Sequence, residues 1–292
     1  MTRDSSLVSM LVSSVSGVAE SLLATLFPSD CRFCGTPLVN ISRLPVCQAC
    51  LSEIHVIEGA VCSVCGERLM TPFALGVRTG DGTDGTEEVR CGLCRKLAPP
   101  FVKAVAYGSY DGGVRELIHL LKYEQVRPAA AVLGRLLAEA VSGLESLGIE
   151  RLVVVPVPLH ARKLRQRGFN QSELIAQEFI RLASENMTLH SRVLQRRRET
   201  ESQIGLTRHQ RRENIRGAFI VARPQEIAGR EILLVDDVFT TGTTVSECAR
   251  VLLRAGASKV FVATVARTLK HEVKGIELSQ TVDEEQTVAA AG

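Results

Sequence analysis

The chain has 292 residues, 45% of them hydrophobic and 23% charged, with a net charge of +3. That excludes a miniprotein and a mainly disordered chain, and with so small a net charge any anion site must rest on local clusters. No stretch reaches the roughly 18–20 uninterrupted apolar residues that span a bilayer. The nearest, Leu7 to Phe27, is broken by serines and Glu20, and Arg3 with Asp4 ahead of it suits a secretion signal poorly. The expectation for 1–27 is an amphipathic or core-docking helix on a cytoplasmic chain.

From Pro28 to residue 98 the texture changes to a cysteine-rich unit with turn residues and little apolar periodicity. Four C-x2-C pairs stand there: Cys31 and Cys34, Cys47 and Cys50, Cys62 and Cys65, Cys91 and Cys94. Each pair makes a knuckle offering two thiolates, and two knuckles complete a tetrahedral four-sulfur site. The simplest assignment is two structural Zn2+ ions, one held by the first four cysteines and one by the last four, with pairing between the sets left open as the alternative. Four disulfides would need an oxidising compartment, which the absence of a secretion signal disfavours. An iron–sulfur cluster shares thiolate ligation, but separated x2 pairs favour zinc. The glycine-rich run 76–85 reads as an insertion, and Cys248 as a buried core thiol.

From Phe101 strand and helix signals alternate, the pattern of an α/β parallel sheet flanked by helices over 101–270. Lys103 to Tyr110 predicts a strand, followed by a helix through Leu117, Leu120 and Leu121 and a longer one after Pro128. Arg151 to Val157 predicts a buried strand, then a loop, then a helix over Ser172 to Ala183. Gln195 to Arg216 is arginine-rich and predicts an excursion from the sheet. Glu231 to Val235 and Lys259 to Val265 are further strands, with a helix from Thr244 stopped at Gly256. Residues 278–292 read as a polar, disordered tail.

The most informative stretch is ILLVDDVFTTGTT, Ile232 to Thr244. A helix that starts after a threonine- and glycine-rich turn presents free amides and the positive end of its dipole to a phosphate. Thr240, Thr241, Thr243 and Thr244 add hydroxyls, and Gly242 allows close backbone approach. Asp236 and Asp237 lie about one pentose away, placed to accept hydrogen bonds from vicinal hydroxyls. A lone acid pair is usually a solvated loop and a lone threonine turn a helix cap, but their order here points to a ribose phosphate.

This stretch resembles the phosphoribosyl pyrophosphate (PRPP) motif of type I phosphoribosyltransferases. With the N-terminal cysteine pairs, LIHLLKY (Leu117 to Tyr123), VPVPLHARKLRQRGFNQ (Val155 to Gln171), Gln203 and RHQRRENIRGAF (Arg208 to Phe219), the resemblance sharpens to the ComF family. The resemblance implies a type I phosphoribosyltransferase-like fold behind a double zinc ribbon, PRPP or a ribose-5-phosphate nucleotide as ligand, and Mg2+ accompanying PRPP. It also implies a link to uptake of single-stranded DNA and to competence-machinery partners. Asp236 and Asp237 are the implied catalytic pair and the threonine loop the phosphate site. The pyrophosphate loop corresponds to Leu159 and His160 through Arg162. Arg167, Gly168, Asn170 and Gln171, with Lys122 and Arg165 near them, are further anion contacts, and Arg211 lies on a hood that closes over the ligand. Nothing resembles a glutaminase domain. Two classes of function stand against each other: phosphoribosyl transfer to a nitrogen acceptor, or non-catalytic PRPP or nucleotide sensing coupled to single-stranded DNA and partner proteins.

Overall fold

The computed structural model describes residues 29–38, 43–69, 89–144, 151–183, 186–199 and 208–269. The expected N-terminal helix, the glycine-rich run, Gln203 and the expected polar tail lie outside the described residues.

The cysteine-rich segment builds the same small unit twice. Asp30 bridges Pro37, and Val61 bridges Arg68, each closing an antiparallel turn around a C-x2-C pair. Within each turn the amide after the second cysteine bonds back to the first cysteine's carbonyl: Gly35 to Cys31 and Gly66 to Cys62. The other half of each site is a short helical turn, α1 (Gln48–Ser52) capped by Cys47 and α2 (Gly92–Lys96) capped by Cys91.

The larger unit is a five-stranded parallel sheet in the order β1-β7-β6-β2-β3. The strands are β1 (Ala104–Ser109), β2 (Leu152–Pro156), β3 (Met187–Leu189), β6 (Glu231–Phe239) and β7 (Lys259–Arg267). β4 (Leu194–Arg196) and β5 (Phe219–Val221) pair antiparallel outside it. Helices α3 (Gly112–Tyr123), α4 (Ala129–Ser142) and α6 (Gln171–Ile180) cover one face. Helix α8 (Thr243–Arg254), with α7 (Arg208–Ile215) beside it, covers the other, and α5 (Ala161–Arg167) lies at the rim.

Strand alternation sorts the core. Leu152, Val154, Leu233 and Val235 join Leu117, Leu121, Leu133, Ile175 and Phe179 on the α3/α4/α6 face. Val153, Val155, Ile232 and Leu234 join Val245, Cys248, Ala249 and Leu252 on the α8 face. Burial of each Val, Leu, Ile or Phe side chain among these stabilises by about 1.5–3 kcal/mol. Gly134 lets α4 and α6 touch, since a Cβ there would lie 2.6 Å from Glu178 Cβ.

Three elements differ from the sequence expectation. β6 does not end at Val235 but runs through both acids to Phe239, because β7 offers it a partner for that whole length. The excursion after Gln195 is partly regular: β4 finds β5, and α7 packs on α8. The region expected as a loop through Arg162 becomes helix α5 from Ala161, because His160 Nδ1 accepts from the Arg162 amide at 3.4 Å and caps it.

Candidate functional site

β2 and β6 stay in register only as far as Pro156 opposite Val235. Beyond that rung β2 turns away and β6 continues, so Asp236 and Asp237 face a notch at the carboxyl rim of the sheet, where ligands of open α/β sheets bind. The two carboxyls stay close enough to hydrogen-bond each other, and both reach the start of α6.

Asp236 Oδ1 accepts from Ser172 Oγ at 2.8 Å and from the Asp237 amide at 3.0 Å. Asp237 Oδ1 accepts from Gln171 Nε2 at 3.3 Å, and Oδ2 forms an ion pair with Lys122 from the end of α3. Both acids are buried, at 9% and 4% exposure. Burial, with Asp237 as a second negative neighbour, pushes Asp236 up to about 7. Burial also works against ionisation of Asp237, but Lys122 outweighs it and the carboxyl is held below its ordinary value. The same pair keeps Lys122 protonated: burial pushes its pKa down, and Asp237 more than offsets it.

This network extends outward along residues marked in the sequence. Gln171 Oε1 accepts from Arg167 Nη1 at 2.6 Å, and Arg167 stacks on Tyr123 at 5.6 Å. Asn170 Nδ2 donates to the Val157 carbonyl at 3.0 Å while its Oδ1 accepts from the Ser172 amide at 3.2 Å. Asn170 therefore caps α6 and pins the chain leaving β2, so its polar atoms serve the frame. Leu159 and His160 sit half-buried in that chain, while Arg162, Lys163 and Arg165 on α5 are exposed. Arg162 pairs with Glu199 at 3.2 Å. Arg211 lies on α7.

The threonine loop follows β6 directly. Gly242, at φ +72°, is the N-cap of the twelve-residue helix α8. It rests on the Phe239 ring: a Cβ would come 2.5 Å from Cζ, so only glycine fits. Thr240 is exposed, Thr241 and Thr244 are half-buried and Thr243 is buried, with Thr241 Oγ1 and Thr243 Oγ1 at 2.8 Å. Two clefts of about 270 and 290 Å3 lie along the cysteine-rich segment rather than over this loop. Ser172, Glu67 and Arg267 carry no recognisable signal in the sequence, because their partners lie far away in the chain.

The sulfurs assemble as the simplest assignment predicted. Cys31, Cys34, Cys47 and Cys50 form one group, and Cys62, Cys65, Cys91 and Cys94 the other, with ligand atoms within 4.8 Å of one another. The first is open at Cys34, while the second is buried at all four positions. Cys65 hydrogen-bonds Cys62 and pulls its thiol down to about 4, and the same sharing pushes Cys65 up. Such proton-sharing thiol clusters suit a closed tetrahedral zinc site.

A parallel sheet, a threonine-rich helix start beside two acids and a pair of thiol tetrads define a phosphoribosyltransferase-type domain behind a double zinc ribbon. Residues 122–290 match the phosphoribosyl transferase domain family, and residues 22–95 the double zinc ribbon domain. The chain is 34% identical over 226 residues to DNA utilization protein YhgH of Escherichia coli, covering 77% of this chain and 97% of that one. It is 30% identical over 230 residues to Competence protein F of Haemophilus influenzae, covering 76% and 96%. Competence protein ComFC of Bacillus subtilis is 25% identical over 225 residues, covering 76% and 84%. The chain belongs to the ComF family of phosphoribosyltransferase-domain proteins, with structural zinc in its N-terminal ribbons. Among the described residues no helix is long and apolar enough to cross a membrane.

Proposed function

We propose that the chain binds PRPP at the carboxyl rim of β6 and transfers its 5-phosphoribosyl group to a nitrogen acceptor in the service of DNA uptake. The observation that carries this reading is the junction of β6 and α8, where a strand carrying two buried acids runs into the threonine- and glycine-rich N-terminus of a twelve-residue helix. The 5′-phosphate sits on Thr240 to Thr244. The ribose hydroxyls donate to Asp236 and Asp237, whose carboxylates keep acceptor capacity beyond the bonds from Ser172, Gln171 and Lys122. Arg167 and the backbone at Leu159 and His160 face the pyrophosphate, and Arg211 on α7 belongs to the covering hood.

In the reaction, the acceptor nitrogen's lone pair forms the bond to the anomeric carbon as the bond to pyrophosphate oxygen breaks. Pyrophosphate leaves with that electron pair, and the nitrogen releases a proton to solvent. The protein's part is to hold sugar and leaving group in line and to neutralise developing charge. Mg2+ bound with PRPP would supply charge neutralisation on the pyrophosphate, while Asp237 keeps Lys122 as its counter-ion. Two four-cysteine groups placed to hold metal rather than to form disulfides favour a reducing, cytoplasmic setting.

A second reading is favoured by the exposed cations of α5 and by the relatives' names, which refer to DNA utilization and competence. In it the site senses PRPP or a nucleotide, and the basic rim binds single-stranded DNA and competence partners. Pyrophosphate release with a panel of nucleobases and amines tests the first reading; turnover with none of them would sink it. Salt-sensitive DNA binding that survives Gly242→Ala, with no pyrophosphate release, would establish the second.

A further inference from the structure

The second cysteine tetrad is wired into the sheet. Arg267 ends β7 on the last rung, opposite Phe239 of β6. Its guanidinium donates to the Cys65 carbonyl and, at 2.7 Å, to Glu67 Oε2, and lies 3.8 Å from Cys65 Sγ. The same group stacks over the Phe239 ring at 4.5 Å, the ring on which Gly242 rests. Arg267 is 3% exposed and Glu67 8%. The contacts thus run without a gap from a metal-ligating cysteine through one arginine and one aromatic ring to the turn that starts α8.

We propose that Arg267 is a positioning residue that couples the second zinc centre to the geometry of the anion loop at Thr240 to Thr244. It rests on the reading of that loop as a phosphate site. An arginine cannot shed its proton, so its buried charge must be met by negative groups. Glu67 supplies one, and a four-thiolate zinc centre, which carries net negative charge, supplies the other. Loss of zinc releases the knuckle that holds the Cys65 carbonyl and sulfur against the guanidinium. The guanidinium then loses its fixed seat over Phe239, and Gly242 loses a rigid floor. Among the described residues the first tetrad shows no comparable arginine link to β6: its segment packs at α3, where a Cβ at Gly113 would meet Ile54 and Phe33. The two zinc ions therefore have different jobs, one holding the ribbon and one setting the loop.

The test is amide hydrogen exchange over 240–246 in the full zinc-loaded chain, with zinc content measured alongside. Arg267→Lys keeps a charge but loses the fork. It should retain both zincs and exchange about tenfold faster in the loop, with 152–156 unchanged. Cys94→Ser should lose one zinc and give the same local acceleration, whereas Cys34→Ser should lose the other zinc and leave the loop protected. Loop protection equal to wild type in Arg267→Lys, or equal acceleration by the two cysteine variants, would overturn the proposal. Should Arg267→Lys fail to fold, Glu67→Gln provides the same readout: faster loop exchange supports the coupling and none refutes it. A wild type that fails to bind PRPP removes the loop's ligand yet leaves these exchange results standing. Binding of PRPP with unaltered exchange removes only the coupling.

Discussion

At the residue scale the site is defined by how two adjacent acids are treated differently. Asp237 is ionised against Lys122, while burial pushes its neighbour Asp236 up to about 7. A carboxyl with a raised folded pKa binds a proton more tightly in the native state, so stability falls as pH rises from about 4 to about 7. Asp236→Asn keeps an acceptor for Ser172 and cannot ionise. It should remove that fall and stabilise the protein by about 1–3 kcal/mol at about pH 8, read as a denaturant midpoint at both ends of the window. A pH profile parallel to wild type would show that Asp236 titrates normally. Lys122→Met leaves the Asp237 carboxylate buried without its counter-ion and should cost about 3–5 kcal/mol. Chemical denaturation measures it, and a loss below about 1 kcal/mol would mean that water already screens the pair. Gly242→Ala places a methyl against Phe239 at positive φ. The strain, of order 1–3 kcal/mol, should appear as a lowered thermal midpoint.

At the scale of elements, the legible parts of the fold were those set by local periodicity. The apolar runs at β2, β6 and β7, and the helical spacing of α3, α4 and α6, depend on neighbours in sequence and were readable there. The continuation of β6 through Asp236 and Asp237 was not, because the β7 rungs from Thr264 to Arg267 hold it. Nor was the commitment of Asn170 to capping α6, which depends on Val157 lying across the turn. The threonine loop was legible because its chemistry is contiguous, whereas Arg267, Phe239 and Glu67 meet only after folding. The tetrads also differ as elements. Cys34 is exposed, while the second set is buried, so a chelator should strip the first zinc faster than the second. Two-phase release followed by a colorimetric metal indicator would show this, and a single phase would contradict it. About two zinc ions per chain are expected in all.

For the whole molecule, the proposed ligand site lies at the junction of β6 and α8, and the second cysteine tetrad braces the same end of β6 through Arg267. The basic helix α5 flanks this rim, so any DNA affinity is electrostatic and should fall steeply with added salt. The proposed function requires a sugar phosphate at the β6–α8 junction. Soaking crystals with PRPP and Mg2+ tests this most directly. The account predicts density for the 5′-phosphate against the backbone amides of Gly242 to Thr244, with the ribose hydroxyls turned toward Asp236 and Asp237. An empty loop at saturating PRPP, or a ligand seated instead on the exposed arginines of α5, would contradict it.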